Sequence, residues 1–213
     1  MLVRGFSVFL VEDDPSVRDA LGLALGLLGY SIVPFSDAEG FLSAFREDWR
    51  GCLLVDIRMP GIDGLSLQQR LFDAGVRLPV IVMSGHADVD SARRAFRAQA
   101  VDFLEKPLDH TKLVAAIEEA FERQATICDR QSCRLEFSTL EATLTPRERQ
   151  TMYLVIEGYH NRHIAEQLGI SPRTVEVHKA RIMDKMRVDG VPGLVRLVIG
   201  CRGDANSPLS VSA

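Results

Sequence analysis

The stretch CLLVDIRMPGIDG, residues 52–64, decides the fold of the first half of the chain. Four apolar residues lead to a single carboxylate, Asp56, and a Met-Pro pair and two glycines follow it. A strand that is apolar along its whole length is typical of a parallel sheet covered on both faces. Ligand sites in such sheets lie beyond the carboxyl ends of the strands. The stretch therefore predicts a buried strand that presents Asp56 at a functional edge.

The residues on either side alternate strand and helix patterns. One helical pattern, at 15–28, places Val17, Leu21, Leu25 and Leu28 on one face. The alternation predicts an α/β, flavodoxin-like, doubly wound domain with a parallel sheet. Its strands are predicted at 6–11, 30–35, 52–56, 78–84 and 101–107.

The predicted strand ends bring chemically useful side chains to one edge. Strand one ends at Glu12 and Asp13, strand three at Asp56, strand four at Ser84 and strand five at Lys106. Like-charged carboxylates repel each other, and a hard cation such as Mg²⁺ relieves this repulsion. A carboxylate can also attack phosphorus to form an aspartyl phosphate, whose oxygens a metal ion and a lysine would neutralise. Taken singly, each residue also fits a helix cap, a turn or a solvated surface.

The second half of the chain has a different pattern and a different charge. Residues 1–125 hold 13 Lys and Arg against 19 Asp and Glu, whereas residues 145–202 hold 10 against 6. The motif TPRE, beginning at Thr145, predicts a capping box with proline at the first helical position. A helix over 161–168, a short turn with Gly169 and a helix starting at Ser171–Pro172 predict a helix-turn-helix, part of an all-α four-helix domain. The inward face of its second helix is predicted to hold Val175, Ile182 and Met186.

The segments VEDDPSVR, VDIRMPGIDG, VIVMSGHAD and DFLEKP resemble the receiver domain of two-component response regulators of the FixJ type, over residues 5–124. The resemblance implies that a sensor histidine kinase phosphorylates Asp56. It implies that Glu12, Asp13, Asp56 and the backbone carbonyl of Arg58 hold Mg²⁺. It further implies that Ser84 and Lys106 bind the phosphoryl group, that Phe103 changes rotamer with it, and that the Lys106–Pro107 peptide is cis.

The segments LTPRERQ, NRHIAEQLGISPRTVEVHKARIMDKM and LVRLV are similar to the LuxR/NarL-type DNA-binding domain, over residues 144–200. The resemblance implies base contacts from the second helix of the motif and phosphate contacts around it. A packing module with a solvated surface is the structural alternative. The implied base readers are Glu176, Val177 and Ala180, with Lys179 nearby, and the implied phosphate contacts are Ser171, Arg173, Thr174, His178 and Lys185.

The pocket mouth and the cysteines carry weaker expectations. Arg58 and His86 each follow a site residue by two positions, and we hypothesise that they control water access to the phosphate. Solvated loop residues are the alternative. Cys52, Cys128, Cys133 and Cys201 form no CxxC pair, which predicts reduced thiols in a reducing compartment, with redox sensing by Cys128 and Cys133 as the alternative.

These observations predict a cytoplasmic, phosphorylation-switched transcription regulator that is not an enzyme in the usual sense. Its expected partners are a sensor histidine kinase, promoter DNA, a second copy of the chain on activation and RNA polymerase, with no membrane partner. The expected layout is a receiver over 1–124, a partly helical linker over 125–143, the DNA-binding domain over 144–202 and a flexible tail over 203–213.

Three alternative functions are considered. A phosphohydrolase with an aspartyl-phosphate intermediate would need a second acid at position 58, where the chain has arginine. A regulator that ignores phosphorylation and uses the receiver only to dimerise is disfavoured by the complete set of site residues. A quorum regulator would need a ligand-binding sandwich in place of the receiver.

Overall fold

The computed structural model describes residues 5–86 and 88–202, so the predicted tail at 203–213 lies outside the described residues. The chain divides into two compact units between Ile127 and Cys128. The first is an α/β unit and the second is all helical, as predicted.

The elements of the first unit alternate strand and helix along the chain, as the sequence predicts. They are β1 (Ser7–Val11), α1 (Pro15–Leu27), β2 (Ser31–Phe35), α2 (Ala38–Ala44), β3 (Gly51–Asp56), α3 (Gly64–Asp73), β4 (Val80–Ser84), α4 (Val89–Arg97), β5 (Asp102–Glu105) and α5 (His110–Ala142), the last of which continues into the second unit.

The five strands form one parallel sheet in the order β2-β1-β3-β4-β5. This order defines a doubly wound sheet, and β3 is buried along its whole length. The pairing of Val11 with Val55 aligns the carboxyl ends of β1 and β3. Pro34 is tolerated in β2 because β2 is an edge strand and needs fewer ladder donors.

Alternate residues of each strand pack into two separate cores. Phe9 and Val11 face a core completed by α2, α3 and α4, whereas Val8 and Leu10 face one completed by α1 and α5. Helix α1 is less amphipathic than the sequence predicts, because Leu25 is buried but Leu28 lies beyond the helix and is exposed. The helices therefore hold the sheet between two apolar layers and leave its carboxyl edge for the polar residues.

The second unit contains α6 (Pro146–Ile156), α7 (Asn161–Leu168), α8 (Pro172–Lys185) and α9 (Val191–Arg202). The predicted short turn separates α7 from α8, and Gly169 ends α7 with a φ of 66°, a conformation that glycine adopts without steric cost. The inward face of α8 is as predicted, since Val175, Ile182 and Met186 are buried.

The segment between the predicted domains is helical as far as Ala142. It was expected to be helical in part over 125–143, and α5 runs through it without a break to Ala142. Phe137 and Leu140, near the end of α5, pack into the core of the second unit. No helix in the described part of the chain combines the length and the apolar character of a membrane span.

The cysteines differ from the expectation of reduced thiols. Cys133 of α5 and Cys201 of α9 form a disulfide, so the prediction is wrong for this pair. The pair forms because both helices run further than the sequence signals indicated, which brings the two Cα atoms to 5.2 Å. Cys52 is a buried thiol in β3, and burial raises its pKa.

Candidate functional site

Three carboxylates meet at the carboxyl edge of the sheet. Glu12 and Asp13 follow β1, and Asp56 ends β3. One oxygen from each lies within 4.8 Å of the others, and Glu12 and Asp56 are buried while Asp13 is exposed. Oxygen ligands at this spacing, open to solvent on one side, fit a hard divalent cation that keeps some of its waters. The predicted acidic cluster therefore assembles as expected.

Lys106 supplies the positive charge in this cluster. Its Nζ lies 2.5 Å from Oδ1 of Asp56 and 2.7 Å from Oε2 of Glu12. Burial alone would lower the pKa of Lys106, but the hydrogen bonds and charges of these two carboxylates outweigh it and raise the pKa. Burial raises the pKa of Glu12, because Lys106 offsets only part of the desolvation cost. Lys106 is therefore a charged counter-ion that contacts both Glu12, which follows β1, and Asp56 at the end of β3.

The backbone around Asp56 is shaped to hold its carboxylate in place. Oδ2 of Asp56 accepts a hydrogen bond of 2.7 Å from the backbone N–H of Arg58. Gly64 starts α3 directly against this loop: a Cβ on it would lie 2.1 Å from the carbonyl oxygen of Asp56. No side chain fits in that space. The sequence shows the glycines after Asp56 but not this contact between Gly64 and the carbonyl of Asp56.

Ser84 lies at the end of β4, buried, with its hydroxyl engaged locally. Its Oγ donates to the carbonyl of His86 at 2.5 Å and accepts from the backbone N–H of His86 at 3.1 Å. The exposed ring of His86 contacts the carbonyl of Gly85 at 2.9 Å through Nδ1. The hydroxyl therefore has to leave the His86 carbonyl before it can donate to a group bound at Asp56.

Phe103 and Lys106 occupy the neighbouring strand β5 and its end. The Phe103 ring is half-buried against the core shared by α2, α3 and α4, so it has partners in its present position. The Lys106–Pro107 peptide is cis, as the resemblance implied, and the backbone N–H of Lys106 donates to the carbonyl of Ser84 at 2.7 Å. The strand end that carries Lys106 is thus tied to the strand end that carries Ser84.

Arg18 is a site residue that the sequence analysis missed. From α1 its Nη1 donates to the carbonyl of Glu12 at 2.7 Å and to the carbonyl of Asp13 at 3.3 Å. Asp14 caps the same helix through its side chain. Arg18 and Asp14 therefore hold in place the segment that carries Glu12 and Asp13. The only sequence hint is that Arg18 stands within the motif VEDDPSVR.

The second unit has an ion pair beside its helix-turn-helix motif. Thr145 and Glu148 form the predicted capping box. Glu148 is buried and also accepts from Nζ of Lys185 at 2.7 Å, while the same Nζ donates to the carbonyl of Thr143 at 3.1 Å. Burial alone would raise the pKa of Glu148, but the bonds from Lys185 and Thr145 outweigh it and lower the pKa to about 2. In this structure Lys185 fastens α8 to the start of α6.

The remaining DNA-contact candidates lie at the start and on the outer side of α8. Ser171 caps the helix, and its Oγ accepts from the backbone N–H of Thr174 at 3.1 Å. Nζ of Lys179 donates to Oδ1 of Asn161 on α7 at 3.0 Å, and Nδ1 of His178 is buried. Five of these candidates are exposed, namely Ser171, Arg173, Glu176, Val177 and Ala180. The other four are half-buried, namely Thr174, His178, Lys179 and Lys185.

Comparisons with known proteins identify the family of each unit. Residues 8–118 match the response regulator receiver domain, and residues 142–198 match the bacterial regulatory proteins of the luxR family. The chain therefore belongs to the two-component response regulators that join a receiver to a LuxR-type helix-turn-helix, a family of transcription regulators and not of typical enzymes.

The similarity extends over nearly the full length of individual relatives. The chain is 41% identical to the transcriptional regulatory protein FixJ of Azorhizobium caulinodans over 90% of this chain and 91% of that protein. It is 36% identical to the response regulator protein TodT of Pseudomonas putida over 91% and 86%. Its structure matches that of the response regulator StyR with a TM-score of 0.78 and 37% identity, covering 90% of this chain and 97% of that one.

Proposed function

We propose that Asp56 is the phospho-acceptor of this regulator. One carboxylate oxygen of Asp56 attacks the phosphorus of a phosphohistidine on a sensor kinase, the P–N bond breaks, and an acyl phosphate forms. The observation that carries this assignment is the position of Asp56, buried at the end of β3 and bonded to Lys106 and the N–H of Arg58. These two donors hold the carboxylate in one orientation.

The same geometry supports a Mg²⁺ site formed by Glu12, Asp13 and Asp56 with the carbonyl of Arg58. The donors are all oxygens, and their spacing suits a hard cation. Bound Mg²⁺ would supply charge neutralisation for the phosphoryl oxygens. Lys106 stands opposite Glu12 and Asp56, so its ammonium would pair with the phosphoryl group as it forms.

Phosphorylation would then change the hydrogen bond of Ser84. The phosphoryl group adds nearly two negative charges and strong acceptors, which compete with the carbonyl of His86 for the hydroxyl proton. As Ser84 turns toward the phosphate, the half-buried ring of Phe103 moves into the vacated space. The surface formed by α4 and β5 changes with it, and two copies dimerise through that surface.

Dimerisation would place two α8 helices on a pair of half-sites in promoter DNA. Arg173 and the hydroxyl of Ser171 stand at the helix start for phosphate contacts, and Glu176, Val177 and Ala180 point outward for base edges. Glutamate accepts from cytosine N4, and alanine touches a thymine methyl. This activity places the protein in the cytoplasm, with RNA polymerase as a further partner.

The deciding experiment measures oligomeric mass in solution with Mg²⁺, with and without beryllofluoride as phosphoryl mimic. We expect wild type to change from monomer to dimer and Asp56→Asn to remain monomeric. Asp73→Asn, an exposed acid at the end of α3, is the matched control and should behave as wild type. A dimeric Asp56→Asn protein, or a wild type that ignores the mimic, would support a receiver used only for dimerisation or regulated by another route.

Arg58 and His86 are proposed to limit water access to the acyl phosphate. Both residues are exposed and follow the site residues Asp56 and Ser84. Replacing either with alanine should change the rate at which the phosphorylated protein loses its phosphate. Unchanged rates in both variants would assign the two side chains to the solvated surface.

A further inference from the structure

The disulfide between Cys133 and Cys201 lies in the DNA-binding unit and includes none of the residues proposed for phosphorylation or DNA contact. It joins α5 to α9 across a sequence separation of 68 residues. All of α6, α7 and α8 lie inside the loop that it closes. A cross-link that closes a long loop stabilises a fold by restricting the unfolded chain, so this bond acts on the whole helical unit.

The bond is one of several contacts that hold the end of α5 on this unit. Nε of Arg134 donates to the carbonyl of Cys201 at 2.8 Å, which satisfies a carbonyl in the last turn of α9. Phe137 and Leu140 are buried in the shared core. The hydroxyl of Tyr153 donates to the carboxylate of Glu141. These contacts do not involve the cysteine sulfurs, so they can bring the two cysteines together again after the bond has been reduced.

The two Cα atoms are 5.2 Å apart, within the usual range for bonded cysteines. The backbones of α5 and α9 therefore hold the two residues at a distance that suits the bond. A protein that binds chromosomal DNA works among reducing thiols, where protein disulfides are usually transient and responsive. A well-placed pair in such a protein is thus a site for reversible oxidation rather than a permanent link.

We propose that Cys133 and Cys201 form a thiol-responsive clamp, whose oxidation fastens the α5 segment 128–142 to α9 and whose reduction loosens it. The proposal concerns the DNA-binding unit and does not depend on phosphorylation of Asp56. Its reductant and oxidant are low-molecular-weight thiols and their disulfides, such as glutathione.

The two sulfurs differ in access, which sets the order of the reaction. Cys133 is half-buried, whereas Cys201 is 2% exposed. A glutathione thiolate attacks Sγ of Cys133, the S–S bond breaks, and Cys201 leaves as a thiolate that takes up a proton. A second glutathione thiolate attacks the mixed disulfide, releasing glutathione disulfide and the Cys133 thiolate. Two electrons thus pass from two glutathione molecules to the protein.

The first test counts thiols in the full-length folded protein. Wild type, Cys133→Ser and Cys128→Ser are equilibrated in glutathione buffers of increasing GSH:GSSG ratio, quenched with acid, alkylated and weighed by mass spectrometry. We expect wild type and Cys128→Ser to lose two reactive thiols together as the ratio falls, and Cys133→Ser to form no internal bond. A pair that stays reduced at every ratio, or stays bonded at every ratio, overturns the proposal.

The second test measures whether the bond restricts the motion of the two helical segments that it joins. Amide hydrogen exchange should slow at least tenfold in segment 128–136 and in the last turn of α9 when the protein is oxidised. Trp49, the single tryptophan, lies in the receiver. The urea-unfolding midpoint of the receiver, followed by Trp49 fluorescence, should therefore be the same in both redox states and serves as an internal control. Equal exchange rates in both redox states would show that the bond does not act as a clamp.

Discussion

Replacing Lys106 with methionine should turn the receiver into a metal-dependent fold. The change keeps most of the apolar stem but removes the ammonium that contacts Glu12 and Asp56 at 2.7 and 2.5 Å. Two buried carboxylates would then face each other without a counter-charge. Removing one partner of a buried ion pair costs roughly 3–5 kcal/mol. The Lys106 side chain is 23% exposed, so we expect the lower end, about 3 kcal/mol in the presence of EDTA.

Magnesium should reverse most of this loss. A ligand that binds only the folded state at 100 times its Kd stabilises by about 2.7 kcal/mol, and in the variant Mg²⁺ becomes the main cation facing these acids. The assay is urea unfolding followed by Trp49 fluorescence, because Trp49 stacks on Phe9 at a ring separation of 4.3 Å and reports the receiver alone. Lys112→Met, on the exposed face of α5, is the matched control. The reasoning is refuted if Lys106→Met is as stable as wild type in EDTA, or if Mg²⁺ leaves its deficit unchanged.

Three further outcomes follow from contacts in the two units. Because the pKa of Glu148 falls from 4.5 in the unfolded chain to about 2 in the fold, its stabilisation is complete above pH 4.5 and is lost as the pH falls toward 2; circular dichroism should show a smaller loss over this range in Glu148→Gln. Ser84→Ala should still take up a phosphoryl group but dimerise more weakly, as measured by mass in solution, because the donor to that group is gone. Arg173→Ala should lower the salt slope of binding to a random-sequence DNA duplex by about one, measured by fluorescence anisotropy, and an unchanged slope would place Arg173 off the DNA.

Much of the acidic site could be predicted because its side chains stand at strand ends. Apolar runs locate the strands, and a parallel sheet gathers their carboxyl ends, so Glu12, Asp56, Ser84 and Lys106 follow from order along the chain alone. The start of α8 could also be predicted, because Ser171 and Pro172 are local capping signals. In both cases the decisive interactions are short in sequence or are imposed by the topology.

Two of the features that the sequence does not reveal depend on contacts between distant residues. The Glu148–Lys185 pair spans 37 residues, and the Cys133–Cys201 bond spans 68. Neither contact produces a periodic pattern in the sequence, since each depends on how the helices pack against one another. The predicted limits of two strands are also too wide: β4 begins at Val80 rather than at 78, and β5 ends at Glu105 rather than at 107. Hydrogen bonding between strands sets those limits, and residue preference alone does not show it.

The contact between Gly64 and the carbonyl of Asp56 also limits how this protein can vary. In a saturation library at position 64, every substitution adds at least a Cβ, which would lie 2.1 Å from that carbonyl. The loop must then move, and the carboxylate that faces Lys106 moves with it. Variants selected only for a folded, abundant protein should still include some that tolerate this shift. Variants selected for phosphate uptake should return to glycine, so the difference between the two selections measures how strictly the chemistry depends on one missing methyl group.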